Sequence, residues 1–157
     1  MNLLSVMTVV FLATTPADTK PGPTSVTAKE AFQVFHDLIG TWKCIGMPQG
    51  RGARDREFWQ ERISWKWQFK GKDVSLVADI DKGKYYSRLE LHYLPKEKLY
   101  QVTATTTGKE THTFKGTFAK KRLTVERTDE KNKQDQRLIV SLLHFNRHLY
   151  QYEVKST

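Results

Sequence analysis

Residues 61–70 read Glu-Arg-Ile-Ser-Trp-Lys-Trp-Gln-Phe-Lys. Ile63, Trp65, Trp67 and Phe69 fill one set of alternate positions, and Ser64, Lys66 and Gln68 fill the other. A strict period of two sends these sets to opposite faces of a pleated strand. Aromatic and β-branched side chains on one face suit a sheet with one buried side. Lys70-Gly71-Lys72 then turns the chain, and Val74, Leu76, Ala78 and Ile80 form the next inward row.

Downstream the same grammar repeats. Asp81-Lys82-Gly83-Lys84 is a turn, followed by the inward row Tyr85, Leu89, Leu91 and Tyr93. Pro95-Lys96-Glu97 turns again before Tyr100, Val102 and Ala104, a row that ends around Gly108. Phe114 and Phe118, then Leu123 and Val125 beyond Lys120-Lys121, continue the series. The polar stretch Thr128 to Asp135 precedes Leu138, Val140 and Leu142, and Asn146-Arg147 turns into a last strand. About eight or nine strands follow with short connections and no helix between them. Parallel neighbours need long crossovers, so the strands must form an antiparallel meander. A meander of this length curls to manage its edges, which predicts an all-β, up-and-down barrel; a sandwich is the competing architecture.

Upstream, the period is helical. Thr27 and Glu30 are spaced as a capping box, Phe32, Phe35, Leu38 and Ile39 recur on one face, and Gly40 stops the helix. The reading is one helix of about eleven residues, too short to be stable unpacked. Asp18 to Ser25 is a Pro/Gly-containing spacer. Residues 1–17 carry no charged side chain, and Leu3 to Ala13 are apolar, shorter than the roughly 20 residues that span a bilayer. This suits a signal peptide cut after Ala17, although no Lys or Arg precedes the apolar run. The expected organisation is a leader at 1–17, a linker at 18–26 and a barrel domain at 27–157. The mature protein is expected outside the cytoplasm, with no stable membrane anchor, as a monomer.

Composition is compatible with a single packed domain. The chain has 157 residues, 38% of them hydrophobic and 11% aromatic, enough to argue against wholesale disorder. Cys44 is the lone cysteine, which excludes an internal disulfide and fits a small buried side chain. The net charge of +9 favours anionic partners such as nucleic acid, acidic polysaccharide or anionic lipid. Candidate polyanion contacts are Arg51, Arg54 and Arg56, and the turn Lys120, Lys121 and Arg122. Solvated turns account for the same clusters.

Leu38-Ile39-Gly40-Thr41-Trp42-Lys43, a short helix running into Gly-Thr-Trp, resembles the start of the lipocalin or calycin barrels. It is similar above all to the uncharacterised exported lipocalin-like proteins of bacteria, and Phe69-Lys70-Gly71-Lys72 and Lys115-Gly116-Thr117-Phe118 are similar to turn elements there. The resemblance implies that Gly40 and Trp42 build a plug at the closed end of the barrel. It also implies a basic residue from the last strand over Trp42, a place for which this chain offers Lys155. Nitrobindin-like calycins share the Gly-x-Trp start and hold haem through a late histidine. His144 or His148 would have that place, but the fuller glycine-rich signature is missing, so no cofactor is expected.

No residues suggest catalysis. There is no Gly-x-Ser-x-Gly elbow, no Cys–His pairing in a plausible context and no HxH or HExxH spacing for a metal. Gly46 to Gly52 is glycine-rich but leads to no helix; its place matches a lid loop or an ordinary connection. By parity His112 shares a face with Phe114, and His144 with Leu138, Val140 and Leu142. With Trp65, Trp67 and Tyr85 they are the candidate lining of a cavity, though a filled core uses the same side chains. The function expected is non-enzymatic binding of a small hydrophobic ligand. Polyanion binding through basic loops and a purely structural barrel are the alternatives.

Overall fold

The computed structural model describes residues 27–48, 58–71 and 73–156. The leader, the whole of the linker, Arg51, Arg54, Arg56 and residues 49–52 of the expected lid loop lie outside the described residues.

A helix, α1 (Ala28–Phe32), leads through a 3₁₀ segment (Gln33–Leu38) into the strands. These are β1 (Gly40–Gly46), β2 (Trp59–Lys70), β3 (Asp73–Asp81), β4 (Tyr86–Leu94), β5 (Leu99–Thr106), β6 (Thr111–Ala119), β7 (Arg122–Asp129), β8 (Gln134–His144) and β9 (Arg147–Ser156). They form one nine-stranded sheet in chain order, every neighbouring pair antiparallel. The predicted up-and-down meander is therefore present, and a two-sheet sandwich is not. The sheet curls into a half-barrel. Among the described residues no ladder joins β9 to β1, so these two strands remain its edges.

The capping box forms as read: Thr27 accepts from the Glu30 N–H, and the Glu30 carboxylate accepts from the Thr27 N–H at 2.8 Å. The helix differs in kind from the expectation, because its second half is 3₁₀. Residues three apart eclipse one another at three residues per turn. That geometry aligns Phe32, Phe35 and Leu38, all buried, on one line facing the sheet. In an α-helix the same spacing drifts around the axis. Each such side chain contributes about 2 kcal/mol on burial, more than the strain of a poorer helix. Gly40 then takes φ +125°, a conformation open to glycine at no steric cost.

The helix plugs one end of the curled sheet. Tyr100, near the start of β5, donates its hydroxyl proton to the Ala31 carbonyl at 2.8 Å, and Phe35 lies edge-on to Phe118 at 5.0 Å between ring centres. Beneath the plug the interior is filled by inward rows from successive strands, among them Ile63, Leu76, Leu91, Val102, Phe114 and Val125.

Two β-bulges change faces that strict alternation assigns. In β4 the register slips between Tyr86 and Arg88, leaving Ser87 as the extra residue, with its hydroxyl directed to the Thr105 and Thr106 carbonyls. One extra residue flips the faces upstream of it. Tyr86 is consequently the buried member, 3% exposed, and Tyr85 is 42% exposed. In β8 the slip falls between Leu142 and His144. His144, expected inward, is exposed and bonds Asn146 Oδ1 through Nδ1 at 2.8 Å.

Candidate functional site

Since β1 starts at the helix, the ends of β1, β3, β5, β7 and β9 and the starts of the even-numbered strands gather at the opposite, far end. The inward face there is unlike the rest of the interior. Glu61 of β2, Tyr86 of β4, His112 of β6, Arg127 and Asp129 of β7, Gln136 of β8, and Tyr150 and Tyr152 of β9 form a polar, aromatic belt on the apolar core. Tyr86 makes edge contacts with His112 at 6.1 Å, Phe114 at 6.4 Å and Tyr152 at 5.4 Å between ring centres. Tyr85, outside the core, tilts against Tyr152 at 5.2 Å and meets Trp59 edge-on at 6.1 Å.

The charges of the belt are largely committed. Arg127 Nη2 lies 3.4 Å from Asp129 Oδ2, and its guanidinium sits 5.9 Å from the Phe114 ring. Lys84 Nζ stands 4.4 Å over the Trp59 ring, while its backbone N–H donates to Glu61 Oε2 at 3.3 Å. His112 Nε2 is 3.7 Å from Glu110 Oε2. Burial, helped by the Arg127 charge, nevertheless outweighs Glu110 and Asp129 and holds its pKa below the ordinary value. The ring is therefore neutral at pH 7, and that contact is not an ion pair. Burial, then the neighbouring Tyr152, pushes the Tyr86 hydroxyl far up, and burial raises Tyr150 likewise, so both stay protonated donors.

Four buried polar atoms in this belt have no hydrogen-bond partner: Tyr86 Oη, Tyr150 Oη, His112 Nδ1 and Gln136 Oε1. Tyr152 lies beside Tyr86 without completing a bond of acceptable geometry. An unsatisfied buried group costs about 1–3 kcal/mol, so several on one inward face are a feature with a reason. The cavity below them cannot supply it. It holds only about 10 Å³, between Trp65, Leu89, Val102, Val125, Leu138 and Tyr150. That is the lower limit for one water, and its lining is aliphatic apart from Trp65 and Tyr150, short of the two to four polar partners a buried water needs.

The sequence-derived candidates are thus dispersed. Trp65 is a core residue beside the small cavity, and Phe114 is fully buried at the edge of the belt. Trp67 belongs to the helix end, edge-on to Phe32 at 6.1 Å. His112 and Tyr85 reach the far end, one in the belt and one on its rim; His144 does neither. Glu61, Arg127, Gln136, Tyr150 and Tyr152 were not among the candidates. For the tyrosines, the alternation of Leu149 and Gln151 with Tyr150 and Tyr152 was a usable signal.

Gly40 and Trp42 lie at the start of β1, at the helix end of the sheet. Trp42 points inward and donates its indole N–H to the Leu38 carbonyl at 2.7 Å, satisfying a carbonyl that the helix end leaves open. Lys155 is not its partner, being exposed near the far end of β9. His148, near the start of β9, packs against the indole instead. Cys44 is half-buried, its thiol pKa raised by burial and then by Glu61.

Lys120 and Arg122 border a shallow outer groove of about 370 Å³ with Thr117, Ala119 and Thr124. Lys121, between them in sequence, occupies the β6–β7 turn, where its carbonyl accepts from the Leu142 N–H at 2.8 Å. Among the described residues, no cluster of His, Cys, Asp and Glu is arranged to hold a metal ion. No helix among them is long and apolar enough to cross a membrane. No family model, curated protein or solved structure matches the chain.

Proposed function

We propose that this chain is a non-enzymatic binding module that takes a small, largely apolar, ring-bearing molecule at the far end of its half-barrel. One observation carries the reading: Tyr86, Tyr150, His112 and Gln136 turn unpartnered polar atoms toward one aromatic belt. A ligand with a hydrogen-bonding group recovers their desolvation cost, and its apolar part covers Tyr85, Tyr152 and Trp59. Ligand sites combine mostly apolar linings with a few such polar groups. The middle of the barrel is filled well below the roughly 300 Å³ of an ordinary ligand pocket. The belt therefore suits a molecule seated at the end of the sheet and not one swallowed by it. The resemblance of Gly40-Thr41-Trp42 and its meander to exported lipocalin-like proteins supports the same reading, and export after cleavage at Ala17 belongs to it.

Native mass spectrometry of the protein purified from its own source tests both parts. A retained small mass that Tyr152→Ala loses supports the site, and a polypeptide starting at Asp18 supports export. A bare polypeptide after gentle purification counts against a ligand and favours a purely structural filled barrel. A chain that keeps residues 1–17 counts against the leader.

A further inference from the structure

We propose that the helix end of the half-barrel docks on the surface of an anionic lipid bilayer. This goes beyond the far-end site and does not rest on it. Antiparallel alternation brings the β2–β3, β4–β5, β6–β7 and β8–β9 turns to the same end as the helix. Those turns carry Lys70, Lys96, Lys98, Lys120, Lys121 and Arg147. Their carboxylates are few: Glu97 is paired with Lys115 at 3.0 Å, and Asp73 stands opposite Lys70 in the β2–β3 ladder. On the helix, Glu30 is held by the capping box, leaving Asp37 as the further acid. Among the described far-end turns, Asp81, Glu110, Asp129 and Glu130 are interleaved among Lys82, Lys84, Lys109, Lys131 and Lys133.

Lysines with left-handed φ stand in the turns of both ends, Lys98, Lys120 and Lys121 here and Lys82, Lys109 and Lys133 opposite, so that conformation does not set the ends apart. The exposed rings beside the helix-end cations have no role in the packing of the fold. Phe69 and Phe145 are 68% and 66% exposed at the tips of β2–β3 and β8–β9, next to Lys70 and Arg147, and Leu143 is exposed next to the second. Exposed aromatic rings between lysines match a bilayer surface, where rings enter the headgroup layer and cations meet anionic lipid. A soluble polyanion uses the lysines and leaves the rings without a role.

Vesicle co-sedimentation of protein purified from its own source decides this. Vesicles of phosphatidylcholine with about 30% phosphatidylglycerol are expected to bind it, and pure phosphatidylcholine vesicles at least tenfold less. Lys120→Glu/Lys121→Glu is expected to weaken binding at least tenfold and Phe69→Ser/Phe145→Ser about fivefold. Lys82→Glu/Lys109→Glu at the far end is expected to leave it near wild type. All these positions are exposed, and unchanged circular dichroism checks that each variant folds. Absence of binding to the anionic vesicles overturns the proposal, as does equal loss from the far-end pair. Heparin binding that depends on the lysines, with vesicle binding indifferent to the phenylalanines, assigns the surface to a soluble polyanion and also overturns it.

Discussion

Trp42 and His148 meet with ring centres 3.9 Å apart and planes at 73°, across two edge strands that share no ladder. In a sheet that curls without closing by hydrogen bonds, this side-chain contact helps hold β9 near β1. Trp42 also anchors the 3₁₀ segment through the Leu38 carbonyl, so one indole couples the plug to the first strand and the last.

Replacing that indole separates packing from hydrogen bonding. Trp42→Ala is expected to cost about 3–5 kcal/mol in urea unfolding. Trp42→Phe keeps a ring but leaves the Leu38 carbonyl unpaired, and about 1–2 kcal/mol is expected. Equal effects of the two variants contradict the dual role.

Acid should loosen the molecule well above the range where carboxylates titrate. Burial lowers the pKa of both His112 and His148 against the opposing pull of nearby acids. Above about pH 6.5, the unfolded value, both rings are neutral in either state and their contribution is intact. As pH falls below it, the unfolded chain takes up protons that the folded chain refuses. Stability then declines toward the folded pKa, by at most about 1.4 kcal/mol per pH unit for each ring. A falling Tm from pH 7 to 5 is expected, with a shallower slope in His148→Phe. A flat or rising Tm contradicts the burial of these rings.

The β4 bulge is tested by its two tyrosines. Tyr86→Ala removes a buried ring and is expected to cost about 3–5 kcal/mol in chemical denaturation. Tyr85→Ala, on the rim, is expected to cost under about 1 kcal/mol. The reverse order contradicts the register.

Gly116 of β6 lies against the Thr124 backbone so closely that any Cβ there collides with the Thr124 carbonyl oxygen. Gly116→Ala is expected to cost more than about 2 kcal/mol, through displaced backbone rather than lost contact. Gly108→Ala, which meets only Thr106 Oγ1 at 3.7 Å, is the control and is expected within about 1 kcal/mol of wild type.

These contrasts also show what the sequence made legible. The alternation in Glu61 to Lys70 and its repeats specify an antiparallel meander, because each row must face one core. The capping box was readable because Thr27 and Glu30 bond locally. The failures are long-range or register-dependent. A bulge at Ser87 adds no residue type that announces it, yet it exchanges Tyr85 for Tyr86; the slip before His144 does the same. The 3₁₀ geometry follows from how Phe32, Phe35 and Leu38 meet the sheet, which a local period does not contain. The belt unites side chains from β2, β4, β6, β7, β8 and β9, so no single stretch of sequence displays it.

Ligand capture at the far end is the central claim, and a fluorescence titration with neutral N-phenylnaphthylamine tests it most directly. A saturable signal with one probe per chain is expected, weakened about tenfold in Tyr152→Ala, or roughly 1.4 kcal/mol for one lost aromatic contact. Lys120→Glu/Lys121→Glu, at the opposite end, should leave it unchanged. No saturable signal, or the same affinity in Tyr152→Ala as in wild type, contradicts it.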